Sequence, residues 1–124
     1  EKLIRYLRAN GLEVTVVGTL AEAERAVASG GYGCVLLDVM LPPGDDDNSD
    51  MAALTAGVEF LRRLRGGGIA GADPDLPVVV LTGRPEAAVE VEMRALGLHA
   101  FLNKPESMKV ILHTIKSALG LGEG

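Results

Sequence analysis

Aromatic side chains and cysteine are scarce in this sequence of 124 residues, and both shortages restrict what the protein can be. Aromatic residues make up only 3% and hydrophobic residues 48%, so the core must be built from aliphatic side chains, which suits helices packed on a sheet. The single cysteine, Cys34, excludes an internal disulfide, and because it lies in an apolar run we expect it to pack as a small apolar side chain. A chain of this length has room for one domain with a real core and needs no structural metal.

Charge and hydropathy argue against two classes of binding surface. The formal net charge is -5 and no run rich in lysine and arginine occurs, which argues against a nucleic-acid-binding surface. No apolar segment approaches the roughly 18 to 20 residues that span a bilayer, and the amino end lacks the apolar stretch of a signal peptide. We therefore predict a cytoplasmic domain that contacts neither membrane nor nucleic acid directly.

Helical and strand patterns alternate along the chain. Apolar runs bounded by glycine or proline predict buried strands over 13–17, 33–38, 77–82 and 99–103. Apolar residues at three- and four-residue steps predict helices over 2–9, 20–29, around 60–64, 86–96 and 106–119. Strict alternation predicts an α/β fold, a doubly wound parallel sheet with helices on both faces, and ligands in such sheets bind at the carboxyl ends of the strands.

Three polar residues follow or end three of these predicted strands: Asp38, Thr82 and Lys104. Because parallel strands place their carboxyl ends at one edge, we expect a carboxylate, a hydroxyl and an ammonium group to converge there. A carboxylate can accept a phosphoryl group as an acyl phosphate, while the ammonium and hydroxyl groups bind phosphoryl oxygens. Mg²⁺ is the usual helper, although Asp38 by itself is an incomplete protein site for it. Taken singly, Asp38 could be a turn acid and Thr82 a helix N-cap.

The surrounding residues make a family resemblance specific. The segments "VLLDVMLP", "PVVVLTGR" and "ALGLHAFLNKP" occur in this order, each at the end of a predicted strand. The chain resembles the receiver domain of two-component response regulators over nearly its whole length, except for 42–56. The resemblance implies a flavodoxin-like sheet of strand order 2-1-3-4-5, a receiver domain over 1–119 and a tail or linker over 120–124.

The resemblance also implies a role for individual residues. Asp38 is the expected phosphoacceptor, Thr82 the hydroxyl that binds the phosphoryl group and Lys104 the lysine that pairs with it. Phe101 matches the aromatic whose rotamer reports the active state; its structural alternative is a half-buried aromatic on an edge strand. Met40 is expected to offer its backbone carbonyl to Mg²⁺ beside the Asp38 carboxylate.

The implied function is signalling rather than enzymatic turnover, with at most self-catalysed phosphoryl transfer and autodephosphorylation. A partner histidine kinase or phosphotransfer protein is expected to phosphorylate Asp38 and so switch a surface formed by 86–119, which is also a possible homodimer interface. One alternative is a degenerate receiver that acts as an unphosphorylated dimerisation or interaction module. A flavodoxin-like enzyme or nucleotide binder is a weaker alternative, because no glycine-rich phosphate loop follows any predicted strand.

The sequence departs from the family pattern at its amino end. Receiver domains begin with a central strand that ends in a pair of acids completing the Mg²⁺ site, and here the first predicted element is a helix. The preferred hypothesis is that the sequence is part of a longer chain. The alternatives are that another chain supplies the strand or that the receiver no longer takes phosphate.

The connection over 42–56 is rich in proline, glycine and aspartate, and we expect an exposed acidic insert. It could offer carboxylates near Asp38, but a solvated acidic loop is the more economical interpretation because ordering such a loop costs entropy. An EF-hand is excluded, since Met51 stands where the turn glycine belongs and Gly57 where the bidentate glutamate belongs. His99 and His113 lack partners at ligand-like spacing, so we predict histidines that are either on the surface or satisfied by hydrogen bonds.

Overall fold

A computed structural model describes residues 2–17, 20–39, 57–82, 87–103 and 107–121, and for Leu20, Asp38 and Val39 it describes the backbone only. The described helices and strands are α1 (Lys2–Ala9), α2 (Leu20–Ala28), β1 (Val35–Val39), α3 (helical over 57–65), β2 (Val78–Thr82), α4 (Ala87–Leu96), β3 (Ala100–Asn103) and α5 (Met108–Ala118). The predicted helices and the last three predicted strands are confirmed, with ends shifted by one to three residues at several of them. The predicted insert over 42–56 lies outside the described residues.

The three described strands form a parallel sheet in the order β1-β2-β3. The central strand β2 has the sequence VVVLT, and all of its residues are buried. β-Branched residues suit this position because their side chains pack well on a pleated surface that is covered on both sides. The order agrees with the last three strands of the implied sheet, and the predicted α/β fold class is confirmed.

Successive side chains of β2 point to opposite faces of the sheet, and helices cover both faces. One hydrophobic cluster, the α2–α4 cluster, comprises Val27, Val58, Phe60, Leu61, Leu64, Ile69, Leu76, Val78, Val80 and Met93. The other, the α1–α5 cluster, comprises Leu7, Leu81, Ile111, Leu112 and Ile115. Val80 and Leu81 are adjacent in sequence yet belong to different clusters, so the sheet is doubly wound.

The strand predicted over 13–17 is wrong: residues 12–17 have no strand structure. A strand requires a neighbour that takes up its backbone hydrogen bonds, and in the described ranges β1 pairs with β2 alone. Side chains hold the segment instead, as Arg8 Nη2 donates to the carbonyl oxygen of Val14 at 2.8 Å and the Tyr32 hydroxyl to Thr15 Oγ1 at 2.9 Å. Val16 is left 59% exposed, although its sequence context is that of a buried strand.

Local signals at two helix ends show why the helices are placed as they are. Ser107 caps the amino end of α5, where its hydroxyl accepts a hydrogen bond from the Val110 amide at 3.1 Å. Gly97 ends α4 with a φ of 114°, a conformation that favours glycine. Within the described ranges, no helix is long and apolar enough to cross a membrane.

Cys34 lies just before β1, half-buried against the α1–α5 cluster, as predicted. Burial raises the pKa of its thiol from the ordinary 9.0 to about 11, and a backbone hydrogen bond with Val35 partly opposes the rise. Because the unfolded chain loses this proton first, the stabilisation from Cys34 is complete below pH 9 and is lost as the pH rises through about 11.

We expect iodoacetamide to modify native Cys34 slowly. At pH 9 the higher pKa leaves roughly 50-fold less thiolate than in the urea-unfolded chain, so alkylation should be slower by about that factor. Mass spectrometry of timed samples measures both rates under matched conditions. Equal rates in the native and unfolded protein would show that the thiol is not protected.

Candidate functional site

The strand register brings Asp38 and Thr82 to the same edge of the sheet. Asp38 pairs with Leu81, Val39 pairs with Thr82, and Thr82 pairs in turn with Asn103. Asp38 and Thr82 therefore lie on adjacent strands, one residue apart along the strand direction. Adjacent strands are separated by about 4.8 Å. This alignment is what parallel pairing predicts for the carboxyl ends of two strands.

Lys104 directly follows Asn103 in sequence, but its position lies outside the described residues, as does that of Met40. The convergence of the Lys104 ammonium group with the other two residues therefore stays a prediction. Asn103 itself is exposed and occupies the row of Thr82. The sequence analysis assigned no role to Asn103. The feature that could have identified it is its place immediately before Lys104 in "FLNKP".

Thr82 is the polar end of an otherwise apolar buried strand. Its side chain is fully buried. Buried hydroxyl groups need hydrogen-bond partners, and no buried side-chain nitrogen or oxygen in the described part of the chain lacks one. Thr82 therefore occupies a buried position at the end of β2, and its role as the hydroxyl that binds a phosphoryl group stays a prediction.

Phe101 lies on β3, half-buried and packed against the α2–α4 cluster. It pairs with Val80, while Thr82 pairs with Asn103. Because side chains alternate along a strand, Phe101 and Thr82 share one face of the sheet on neighbouring strands. The predicted packing of a half-buried aromatic is seen, and a switching role for Phe101 stays a prediction.

The described residues contain no group of three or more histidine, cysteine, aspartate or glutamate side chains that could hold a metal ion. The predicted metal ligands, the Asp38 carboxylate and the Met40 carbonyl, lie outside the described atoms. As a donor set they suit Mg²⁺, which prefers oxygen ligands and keeps several waters. His99 and His113 are both exposed, which agrees with the first of the two alternatives predicted for them.

Sequence comparison relates the chain to transcriptional and response regulators. It is 34% identical over 123 residues to the uncharacterized transcriptional regulatory protein YkoG of Bacillus subtilis, an alignment that covers 96% of this chain and 47% of YkoG. The response regulator MprA of Mycobacterium tuberculosis is 32% identical over 119 residues, covering 96% of this chain and 45% of MprA. The chain thus spans about half the length of the curated relatives it matches.

Structural comparison finds the same fold. The beryllofluoride-activated NtrC4 receiver domain dimer superposes with a TM-score of 0.72 at 29% identity, covering 98% of this chain and 88% of that one. The family model of the response regulator receiver domain matches residues 1–116. With the doubly wound sheet and the alignment of Asp38 with Thr82 at its edge, these matches show that the chain belongs to the response regulator receiver domain family of two-component signalling.

Proposed function

We propose that this receiver domain accepts a phosphoryl group on Asp38 from a histidine kinase or phosphotransfer protein, and that the modification switches a protein-binding surface. The observation that supports the proposal is the strand register, which places the backbone of Asp38 on the strand next to the buried Thr82, one residue away from it, at the carboxyl edge of the sheet. An acceptor carboxylate and a donor hydroxyl at one sheet edge are suited to forming and then sensing an acyl phosphate.

The chemistry is a phosphoryl transfer between two side chains. A carboxylate oxygen of Asp38 bonds to phosphorus as the phosphorus–nitrogen bond of a phosphohistidine breaks, and the released imidazole takes up a proton. Thr82 donates a hydrogen bond to one phosphoryl oxygen, and the ammonium of Lys104 neutralises another. The Asp38 carboxylate and the Met40 carbonyl would hold Mg²⁺, which supplies charge neutralisation at the phosphoryl oxygens when bound. The receiver domain of the sensor histidine kinase PA1611 of Pseudomonas aeruginosa is described with a magnesium ion coordinated in its active-site cleft, which supports the choice of Mg²⁺ as the ion.

The shared face of Thr82 and Phe101 supports a route from the site to the surface. A phosphoryl group adds charge and acceptor oxygens that draw the Thr82 hydroxyl inward, and the vacated space favours a rearranged Phe101 and the adjoining face of α4, β3 and α5. Inverting a 1:99 population requires about 5.5 kcal/mol of differential stabilisation, so partial switching is expected. Exposed apolar side chains on α4 and α5 suit this face to a partner or a second copy: Val91, Met108 and Val110.

The direct test is chemical phosphorylation of the purified protein. Acetyl phosphate with Mg²⁺ should raise the intact mass by one phosphoryl group, and chelation of Mg²⁺ with EDTA should suppress the increase. Hydroxylamine should remove the group, because it cleaves acyl phosphates and leaves phosphate esters intact. A folded protein that stays unmodified would reject the proposal and favour an unphosphorylated interaction module.

Thr82→Val is expected to slow phosphoryl labelling of Asp38 and to weaken the effect of labelling on the face of α4, β3 and α5. Valine has nearly the same shape, so the variant removes the hydroxyl without opening a cavity. A hydrogen bond to a charged group contributes about 1.5–3 kcal/mol, which predicts labelling slowed by roughly tenfold or more. Thr82→Ser, which keeps the hydroxyl, is the matched control and should label close to the wild-type rate.

Timed intact-mass spectra measure the rate, and NMR spectra of α4, β3 and α5 report the surface before and after labelling. Thermal unfolding should first show that both variants are folded at the assay temperature. If Thr82→Val labels as fast as Thr82→Ser and shows the same spectral changes, Thr82 has no part in the switch.

A further inference from the structure

Arg65, the last helical residue of α3, donates side-chain hydrogen bonds to three backbone carbonyls. Its Nε and Nη2 atoms reach the Gly97 oxygen at 3.1 and 2.9 Å. Its Nη1 atom reaches the oxygens of Pro74 and Leu76 at 2.7 and 2.8 Å. The planar guanidinium fork can serve several acceptors at once, which a lysine ammonium in one position cannot reproduce with the same geometry.

These carbonyls belong to two different parts of the chain. Gly97 ends α4, and its amide bonds back to the oxygens of Met93 and Arg94 at 3.0 and 3.1 Å. Leu76 belongs to the connection that enters β2. A Cβ atom on residue 97 would lie 3.1 Å from Arg65 Nε, so glycine permits the close approach as well as the backbone turn. One side chain thus joins the ends of α3 and α4 to the start of β2.

This junction lies at the end of the sheet opposite the candidate site. Leu76 precedes the first residue of β2, whereas Thr82 is the last. The pKa of the Arg65 guanidinium is lowered by burial and raised by nearby Asp75 and Asp73, and arginine remains charged throughout the range of ordinary pH. The hydrogen bonds of Arg65 are therefore expected to persist throughout the ordinary pH range.

The rest of α4 is held by apolar packing and by surface ion pairs. Met93 is its fully buried residue, while Ala87 and Ala88 in its first turn are exposed. Arg62 on α3 bonds to Glu92 and Glu59, but these side chains are about half exposed, and surface ion pairs of this kind contribute little. Among the described residues, the Arg65 hydrogen bonds lie at the carboxyl-terminal end of α4, while Val89 and Met93 hold the helix by apolar packing in the α2–α4 cluster.

We propose that Arg65 is a positioning residue that fixes the carboxyl-terminal end of α4, so that the helix pivots about Gly97 when the receiver switches. Displacement is then largest at the amino-terminal end, which is nearer in sequence to Thr82. The anchoring half of this inference is independent of phosphorylation, and the pivoting half rests on the proposed function.

Arg65→Met and Arg65→Lys test the anchor in the unphosphorylated protein. Amide hydrogen exchange at residues 94–98, measured by NMR, should be at least about tenfold faster in Arg65→Met, since several charge-assisted hydrogen bonds are lost. Arg65→Lys should be intermediate. Arg62→Met, which also removes a contact between α3 and α4, is the matched control and should leave these amides unchanged. Equal amide exchange rates at residues 94–98 in Arg62→Met and Arg65→Met would contradict the anchoring role of Arg65.

The pivot is tested by phosphorylating the wild-type protein and Arg65→Lys, the variant that keeps the charge. In the wild type, chemical-shift changes along α4 should decrease from Ala87 towards Leu96; in Arg65→Lys they should extend to Gly97 and Leu98. Uniform changes along α4 in the wild type would overturn the pivot. If the wild type takes no phosphoryl group, the proposed function and the pivot fail together, while the exchange measurements still decide the anchor.

Discussion

Replacing Asp38 with asparagine is expected to abolish phosphoryl incorporation from acetyl phosphate. The neutral amide that replaces the carboxylate is a poor nucleophile and cannot form the acyl phosphate. It also removes the charge that would help to hold Mg²⁺. The backbone of Asp38 lies within β1, in register with Leu81, and asparagine is nearly the same size, so the fold should be retained. The expected result is complete loss of the added phosphoryl mass.

Asp75→Asn is the matched control for this experiment. Asp75 lies in the connection before β2, at the end of the sheet opposite Asp38, and its substitution should leave labelling intact. Asp45→Asn tests separately whether a carboxylate of the acidic insert takes the group. Equal labelling of Asp38→Asn and the wild type would show that the acceptor has been assigned to the wrong residue. Intact mass with peptide mapping distinguishes these results.

Leu61→Ala is expected to cause a large loss of stability. Leu61 is fully buried within the α2–α4 cluster, on a helix that also buries Val58 and Leu64. Truncating a buried leucine removes the burial of its side chain and leaves a cavity, at a cost of about 2–5 kcal/mol. This is a large part of the roughly 5–15 kcal/mol that separates folded from unfolded domains, so partial unfolding at room temperature is within the expected range.

Val91→Ala is the control, since Val91 is also a helical aliphatic residue but is 69% exposed. Its truncation should change the free energy of unfolding by no more than about 0.5 kcal/mol. Urea titrations followed by circular dichroism measure both variants, because the protein contains no tryptophan. Similar losses for the two variants would contradict the assignment of Leu61 to the core.

Local patterns were sufficient to predict most of the secondary structure. The run "PVVVLT" predicts a buried strand, and β2 occupies Val78–Thr82. The apolar spacing over 106–119 predicts α5, which spans Met108–Ala118 and buries Ile111, Leu112 and Ile115. Both signals are local, because side-chain periodicity reports which positions of a helix or strand are covered.

The segment over 13–17 shows where local patterns are insufficient. Its valines have high strand propensity, but strand formation depends on hydrogen bonds to a neighbour that is distant in sequence. The described chain provides no such neighbour, and the segment is held by Arg8 and Tyr32 instead. Arg65 was missed for a related reason: two of its carbonyl partners lie 11 and 32 residues away, and sequence spacing does not reveal them.

The sequence by itself determined the α/β class, the family resemblance and the positions of Asp38 and Thr82 at or one residue before a strand end, because hydrophobic periodicity and short polar motifs are properties of consecutive residues. Only the tertiary structure decided that Val39, Thr82 and Asn103 share one row, that Thr82 is fully buried on the face that also carries Phe101, and that Arg65 bonds the end of α4 to the start of β2. Register, burial and long-range hydrogen bonds arise when distant segments pack together, and they depend on the whole set of contacts rather than on any one stretch of sequence.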